Sequence, residues 1–364
     1  MDYVSVKEGE TDLVVPSSFV PKKRDPVFYN PHMELSRDVG VAVARLTKPV
    51  TYCDALSGSG ARGIRVAKEA GAKVTLIDLN PVAIELARKN AVENGVEVEA
   101  IHDNCNTVLS SRKFDFVDID PFGPPVRYLD AAMSAVRSQG VLGVAATDTS
   151  ALCGTYPGAC QRKYDATPLR CDCFNEVGLR ILLGYVARAA LRFSYGMTPL
   201  FSHVTRHYMR LYARVDRAGG AVKESRKNVN YFVYRFSDLD RRFVTLNELA
   251  EGDFKGYNVA GPLWTGPYSD VDFTLRLADE LAQPQYSKGK VASEIARLVS
   301  EEQGVAVPYF NLHKLCETKA ASPPRMQFVF DELKRRGFLA SRTHMEPLGI
   351  RTNAPVKEIT GLIG

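Results

Sequence analysis

The sequence predicts an α/β protein: a mainly parallel sheet closed by an antiparallel hairpin, followed by a smaller α+β domain. Strand-like and helix-like runs alternate from about Val50 to Val215, as in a parallel sheet covered on both faces. Gly58, Gly60 and Gly63 form a glycine loop between the first such strand and its helix, which makes the first domain Rossmann-like. A chain of 364 residues exceeds one average domain, and we divide it into 1–217 and 218–364.

The first domain opens with an arm of about forty residues that includes FYNPHMELSRD. VTYCDAL is its first sheet strand, and the glycine loop leads into the helix ARGIRVAKEA. KVTLID precedes the helix PVAIELARKNAVEN, whose Pro81 suits a first helical turn. VEVEAIHD, FDFVDID and GVLGVAATD are three further strands, EVGLRILLGYVARAALRF is a long helix, and TPLFSHVTR with YMRLYARV forms the closing hairpin. DRAGGAVKESRKN (216–228) is a Gly- and charge-rich linker. Beyond it lie the short strands NYFVYRF and RRFVTL, a turn-rich GPLWTGP and several helices, ending in a small winged-helix-like module around RRGFLASRTHMEP.

With 45% hydrophobic and 24% charged residues the composition is that of a globular protein. The formal charge of +5 mildly favours an anionic partner. The N-terminus MDYVSVKEGETDLVV lacks the apolar core of a signal peptide. No run reaches the roughly 18 apolar residues of a membrane span. The seven cysteines include no CxxC pair, so neither a zinc ribbon nor a disulfide framework is expected. These features predict a cytoplasmic enzyme without a bound metal, and imply no protein partner.

The chemistry-bearing residues gather at the C-terminal ends of the strands, where ligands of such sheets bind. Asp78 ends the second sheet strand about twenty residues after the glycine loop, placed to bond ribose hydroxyls. Asp54, at the end of the first, is poorly placed beside a pyrophosphate. It suits S-adenosylmethionine, which has no phosphate and carries ammonium and sulfonium charges. Asp103 and Asn104 follow the third strand, in position for an adenine amino group. Two other readings stand beside these: Asp54 as a helix cap and Asp103–Asn104 as an Asx turn.

In DFVDIDPFGPP, Pro121 fixes its own φ and biases Asp120 toward extended geometry, aiming the carboxylate off the strand edge. A nucleobase's exocyclic amine is a weak nucleophile. Acceptors on its N–H bonds, the Asp120 carboxylate and a carbonyl near Pro121, would localise its lone pair toward a methyl donor. Phe122 offers a surface for base stacking. A capped turn with Phe122 in the core is the plain alternative. Asp118 lies inside the strand, where a structural hydrogen bond is expected.

At these motifs the chain resembles the tRNA (guanine-26, N2)-dimethyltransferases of archaea and eukaryotes, in its archaeal form. The likeness runs through FYNPHMELSRD, DALSGSGARGIR, DLNPVAIELARKN, DIDPFGPPVRYLDAA, TDTSALCGTYPGACQRKY, GPLWTG and GFLASRTHMEPLGIRTNAP. It implies S-adenosylmethionine as donor, tRNA as partner, and guanine-26 methylated twice at N2. It further implies Asp120 as the catalytic aspartate, Arg37, Arg62, Asp78, Asp103 and Asn104 as cofactor contacts, and Phe28 and Phe122 as aromatics holding a flipped guanine. One departure is plain: many members carry four zinc-binding cysteines just before GPLWTG, whereas 216–264 holds no cysteine.

Other candidates compete. Cys153 follows the fifth strand, where RNA cytosine-5 methyltransferases keep a nucleophile. Cys171 and Cys173 form a weak metal-ligand pair. Methylation of a non-RNA amine, or RNA binding without catalysis, remain rivals. Arg180, Arg188 and Arg192 share a helix face that is either solvated or phosphate-binding. Lys22–Lys23–Arg24, Arg206–His207 and Lys334–Arg335–Arg336 are further basic clusters, and His344 is expected to be structural.

Overall fold

The computed structural model describes residues 3–17 and 27–363. Strands β1 (Tyr3–Glu8) and β2 (Thr11–Pro16) form an antiparallel hairpin. Helix α1 (Glu34–Thr47) leads into the sheet, where β3 (Thr51–Asp54), α2 (Ala61–Ala70), β4 (Lys73–Asp78), α3 (Pro81–Glu93), β5 (Val98–His102), α4 (Cys105–Ser111), β6 (Phe114–Ile119), α5 (Leu129–Ala135) and β7 (Val136–Ala146) alternate. Helices α6 (Thr149–Leu152), α7 (Pro157–Tyr164) and α8 (Phe174–Arg192) precede the hairpin of β8 (Gly196–Thr205) and β9 (Tyr208–Asp216). The strand order is β5-β4-β3-β6-β7-β9-β8, parallel through β7 and antiparallel for β9 and β8. The order reverses between β3 and β6, and that crevice is where open α/β sheets bind ligands.

The segment 216–228 is not a linker. It folds as α9 (Gly219–Lys227), packed on β8 through Ser225, whose buried hydroxyl donates to the Met197 carbonyl and accepts from its amide. Strands β10 (Val229–Tyr234), β11 (Arg241–Val244) and β12 (Asn258–Trp264) form a second sheet, with α10 (Leu246–Glu251) between the last two. The GPLW stretch, expected as a turn, lies inside β12. Helices α11 (Val271–Leu281) and α12 (Gly289–Glu301) follow. They are succeeded by β13 (Phe310–Asn311), α13 (Leu312–Lys319), α14 (Met326–Arg335), β14 (Ala340–Thr343), β15 (Glu346–Thr352) and α15 (Val356–Thr360), with sheet order β13-β15-β14.

One apolar cluster runs from Val39 to Ile363, so the C-terminal elements dock on the first sheet without a break in the core. Buried charges reinforce the junction. Glu176 on α8 accepts two 2.6 Å bonds from Arg351 on β15, and Arg241 donates to both oxygens of Asp172 at 2.9 Å. Among the described residues no helix is long and apolar enough to cross a membrane.

Candidate active site

A cleft of about 1090 Å3 opens at the β3/β6 reversal and is lined by Asp54, Gly58, Arg62, Asp78, Asp103, Asn104 and Asp120, among others. Its floor is the glycine loop. Gly58 takes a left-handed φ of +50° and donates its amide to Asp78 Oδ2 at 2.8 Å. A Cβ on Gly63 would sit 2.2 Å from Leu76 Cδ2, so α2 lies against β4 only because that residue is glycine. Asp78 also accepts the Asn80 amide at 2.8 Å, which leaves each oxygen one lone pair for a ligand hydroxyl. Asp103 accepts the Asn104 amide at 2.6 Å, and Asn104 caps α4 by accepting from Asn106 at 3.0 Å. The Asx-turn reading and a cleft position therefore hold together.

Asp54 is buried, and its Oδ2 accepts the Gly63 amide in the first turn of α2 at 3.1 Å. Burial and the neighbouring Asp118 push its pKa up to about 7. The group is thus only about half ionised at neutral pH, which weakens the charge argument against a pyrophosphate.

Beneath Asp120 runs a ladder of alternating charges. Arg62, nearly fully buried, donates to Asp120 Oδ2, to the Ser36 carbonyl at 3.0 Å and to Ser36 Oγ at 3.3 Å. Its Nε lies 3.9 Å from Asp118, and Asp118 accepts from Tyr52 Oη at 2.8 Å and from Arg210. Burial alone would raise the Asp118 pKa, but Arg210 and Arg62 hold it below the ordinary carboxylate value. Asp118 is the structural acceptor expected. Asp120 Oδ1 has no protein partner among the described residues. The next turn is clamped: Gly123 donates to Thr147 Oγ1 at 2.7 Å, and the Thr147 amide donates back to the Gly123 carbonyl at 3.2 Å.

Pro121 is buried and Phe122 is 71% exposed over the cleft, so Phe122 is not a core residue. Its ring meets Phe28 edge-on at 4.1 Å between centroids. A base stacked between two parallel rings needs roughly 7 Å, twice a carbon contact, so these rings must part to hold one. Arg37 lines the cleft, but its guanidinium is committed to Glu8 on β1, at 2.7 Å from Nε, and to the Asn30 carbonyl at 3.1 Å.

Residues 7–363 match the family described as N2,N2-dimethylguanosine tRNA methyltransferase. The chain belongs to this family. A relative named tRNA (guanine(26)-N(2))-dimethyltransferase, from Methanothermobacter thermautotrophicus, is 36% identical over 369 residues, covering 98% of this chain and 97% of the relative. One of the same name from Methanosarcina acetivorans is 37% identical over 390 residues, covering 99% and 98%. The solved structure of Trm1 from Pyrococcus horikoshii with S-adenosyl-L-methionine superposes with a TM-score of 0.90 at 31% identity, covering 99% of each chain. The cleft fits such a ligand: the glycine loop packs closely on Phe28, Ile64 and Leu76 at its wall, and Asp54 and Asp78 present acceptors to the space.

Several expectations change on this frame. Cys153 lies buried beneath α8, its Sγ 3.7 Å from Asn175 Oδ1, and burial pushes its pKa up to about 12. That thiol cannot serve as a ready nucleophile. Arg180 is neither solvated nor phosphate-binding: it is buried against Phe243 and Tyr268 and bonds Glu176 at 2.9 Å. Arg188 and Arg192 pair with Asp165 and Asp130. Cys171 and Cys173 stand 3.4 Å apart, but Asp172 between them is spoken for by Arg241. Arg335 and Arg336 bond Glu332 and Glu358, and His344 bridges Glu302 to the Val204 amide. Lys22–Lys23–Arg24 lie outside the described residues. The cleft also contains Thr147, Tyr208 and Tyr128, which no sequence signal singled out.

Proposed function

We propose that this chain methylates N2 of guanine-26 in tRNA twice, with Asp120 orienting the amine and Arg62 holding Asp120. S-adenosylmethionine would supply the electrophilic methyl group, the electron pair of the broken sulfur–methyl bond staying on sulfur as S-adenosylhomocysteine leaves. The observation that carries the site reading is the asymmetry of Asp120: one oxygen is anchored by a buried arginine and the other is left for a ligand. An anchored carboxylate acts as a preorganised acceptor, worth most where charge develops. Asp120 Oδ1 takes one N2–H, and a carbonyl near Pro121 takes the second. As the carbon–nitrogen bond forms, the carboxylate stabilises the cationic nitrogen and then receives its proton. A methylated N2 still has one N–H for Asp120, so a second transfer uses the same contact. A dimethylated N2 has none, and the reaction stops there.

Guanine-26 lies within the tRNA body, so the base must leave the stack to reach Asp120. Phe28 and Phe122 then separate to hold it, with Asp54, Asp78, Asp103, Asn104, Arg37 and the glycine loop forming the cofactor side. Residues 1–217 carry the chemistry, and 218–364 position tRNA largely through its phosphates. The proposed place of this work is the cytoplasm, where tRNA is used. The test is nucleoside analysis of two tRNAs incubated with labelled donor, one with guanosine at position 26 and one with inosine, which lacks the amine. Mono- and dimethylguanosine should form in the first and no label should enter the second; label in the inosine tRNA sinks the reading.

A further inference from the structure

We infer that the tip of the β8–β9 hairpin grips a phosphate of the tRNA strand beside the target nucleotide, through Arg206. This deepens the proposed function and rests on it. Thr205 pairs with Tyr208, so Arg206 and His207 form a two-residue loop. The first residue, Arg206, has a φ of +53°. Glycine is the ordinary choice at such a position, and an arginine there costs free energy that something else must justify. Of the other non-glycine residues with positive φ, Lys48, Asp165 and Ala320 close helix C-termini, where this conformation is an ordinary cap. Arg206 caps nothing, nor do Gln139 and Leu239, but of these three only Arg206 lines the cleft.

Its place in the sheet points to the ligand. Cofactor-side residues come from β3, β4 and β5, on one side of β6; β7 and β9 lie on the other. β9 runs two strand spacings from β6, and the register sets Arg210 level with the end of β6. Arg206, four residues further along, therefore stands roughly 15 Å from Asp120, on the side away from the cofactor strands. Arg206 and His207 are both exposed and both line the cleft. Tyr208, next in the chain, is buried, lines the same cleft and has a hydroxyl without a partner among the described residues.

Charge points the same way. Asp120, Arg62, Asp118 and Arg210 balance one another within the ladder, so Arg206 is not needed as a counterion. It makes no ion pair or hydrogen bond among the described residues. Four aspartates and the further arginines Arg37, Arg62 and Arg127 line the same cleft, and an unpaired guanidinium at its rim suits a phosphate, which arginine meets with paired donors.

The test compares Arg206→Gly, which relaxes the backbone, with Arg206→Gln, which keeps the conformation and removes the charge, and Arg206→Lys, which keeps the charge. tRNA affinity is measured across a salt series, and S-adenosylmethionine affinity and Tm on the same proteins. The Gly and Gln variants should bind tRNA roughly 10-fold more weakly, with the slope of log K against log salt shallower by about one. Lysine should retain most of both, and cofactor affinity and Tm should hold or, for glycine, rise in Tm. Unchanged tRNA affinity and slope overturn the inference. So does a loss of cofactor affinity instead, which would assign the arginine to the cofactor's carboxylate. A wild type that binds tRNA with the predicted arginine dependence but transfers no methyl would fail the proposed function alone; one that neither binds nor methylates tRNA overturns both.

Discussion

Acidifying the solution from pH 7.5 to 6 should weaken S-adenosylmethionine binding through Asp54. Burial first, and Asp118 next, place this carboxyl's pKa at about 7, against an ordinary 3.8. If the cofactor's positive charges bind the ionised form, affinity follows the ionised fraction. That fraction, 1/(1 + 10^(7 − pH)), is roughly 0.76 at pH 7.5 and 0.09 at pH 6, so affinity should fall about 8-fold. The window stays below the titration of an α-amino group near 7.7–8.0. Calorimetry in buffers of different ionisation heats reads both the affinity and the proton released on binding. Asp54→Asn can still accept from Gly63, and should bind more weakly at pH 7.5 with little dependence on pH. The same group also leaves a mark on folding. Its native pKa is raised, so the native state holds more protons than the unfolded chain between about pH 4 and 7. The stability it contributes is complete below 3.8 and is lost as pH rises through about 7, by about 4 kcal/mol at ~1.4 kcal/mol per pH unit. Asp54→Asn should remove that part of the pH dependence. A wild-type affinity indifferent to pH, or an asparagine variant with the wild-type slope, refutes the reasoning.

Arg62→Lys keeps the charge but loses the fork that joins Asp120 to Ser36, and turnover should drop about 10-fold or more with a smaller change in cofactor affinity; a loss confined to cofactor KM would return Arg62 to the cofactor. Phe122→Ala should cost about 1–3 kcal/mol of base stacking, seen as a higher KM for tRNA and not for S-adenosylmethionine. Cys153→Ala should retain methyl transfer, with at most a modest fall in Tm, and an inactive but folded variant would revive the covalent alternative.

The sequence made the sheet and its acidic rim legible because each depends on local order. Strand periodicity placed Asp54, Asp78 and Asp120 at strand ends, and the reversal of strand order then brings those ends together. Tertiary pairing was hidden. Nothing local to Arg62 says that its guanidinium meets Asp120, 58 positions away, nor that Glu8 from the N-terminal hairpin takes Arg37. Arg180 was misread because a helix face counts as solvent-facing only until another segment covers it, and β12 and β15 cover this one. The glycines of 216–228 and the prolines near 262 argued for loops. Packing of Ser225 on β8, and the ladder of β12 with β10, overrode those propensities.

The central claim is that a carboxylate anchored by Arg62 directs an amine at the methyl donor, and single-turnover methyl transfer to guanosine-26 tRNA by Asp120→Ala reads it most directly. The account predicts a rate lower by about 100-fold or more, with S-adenosylmethionine and tRNA still bound. A variant that transfers methyl at close to the wild-type rate would contradict it.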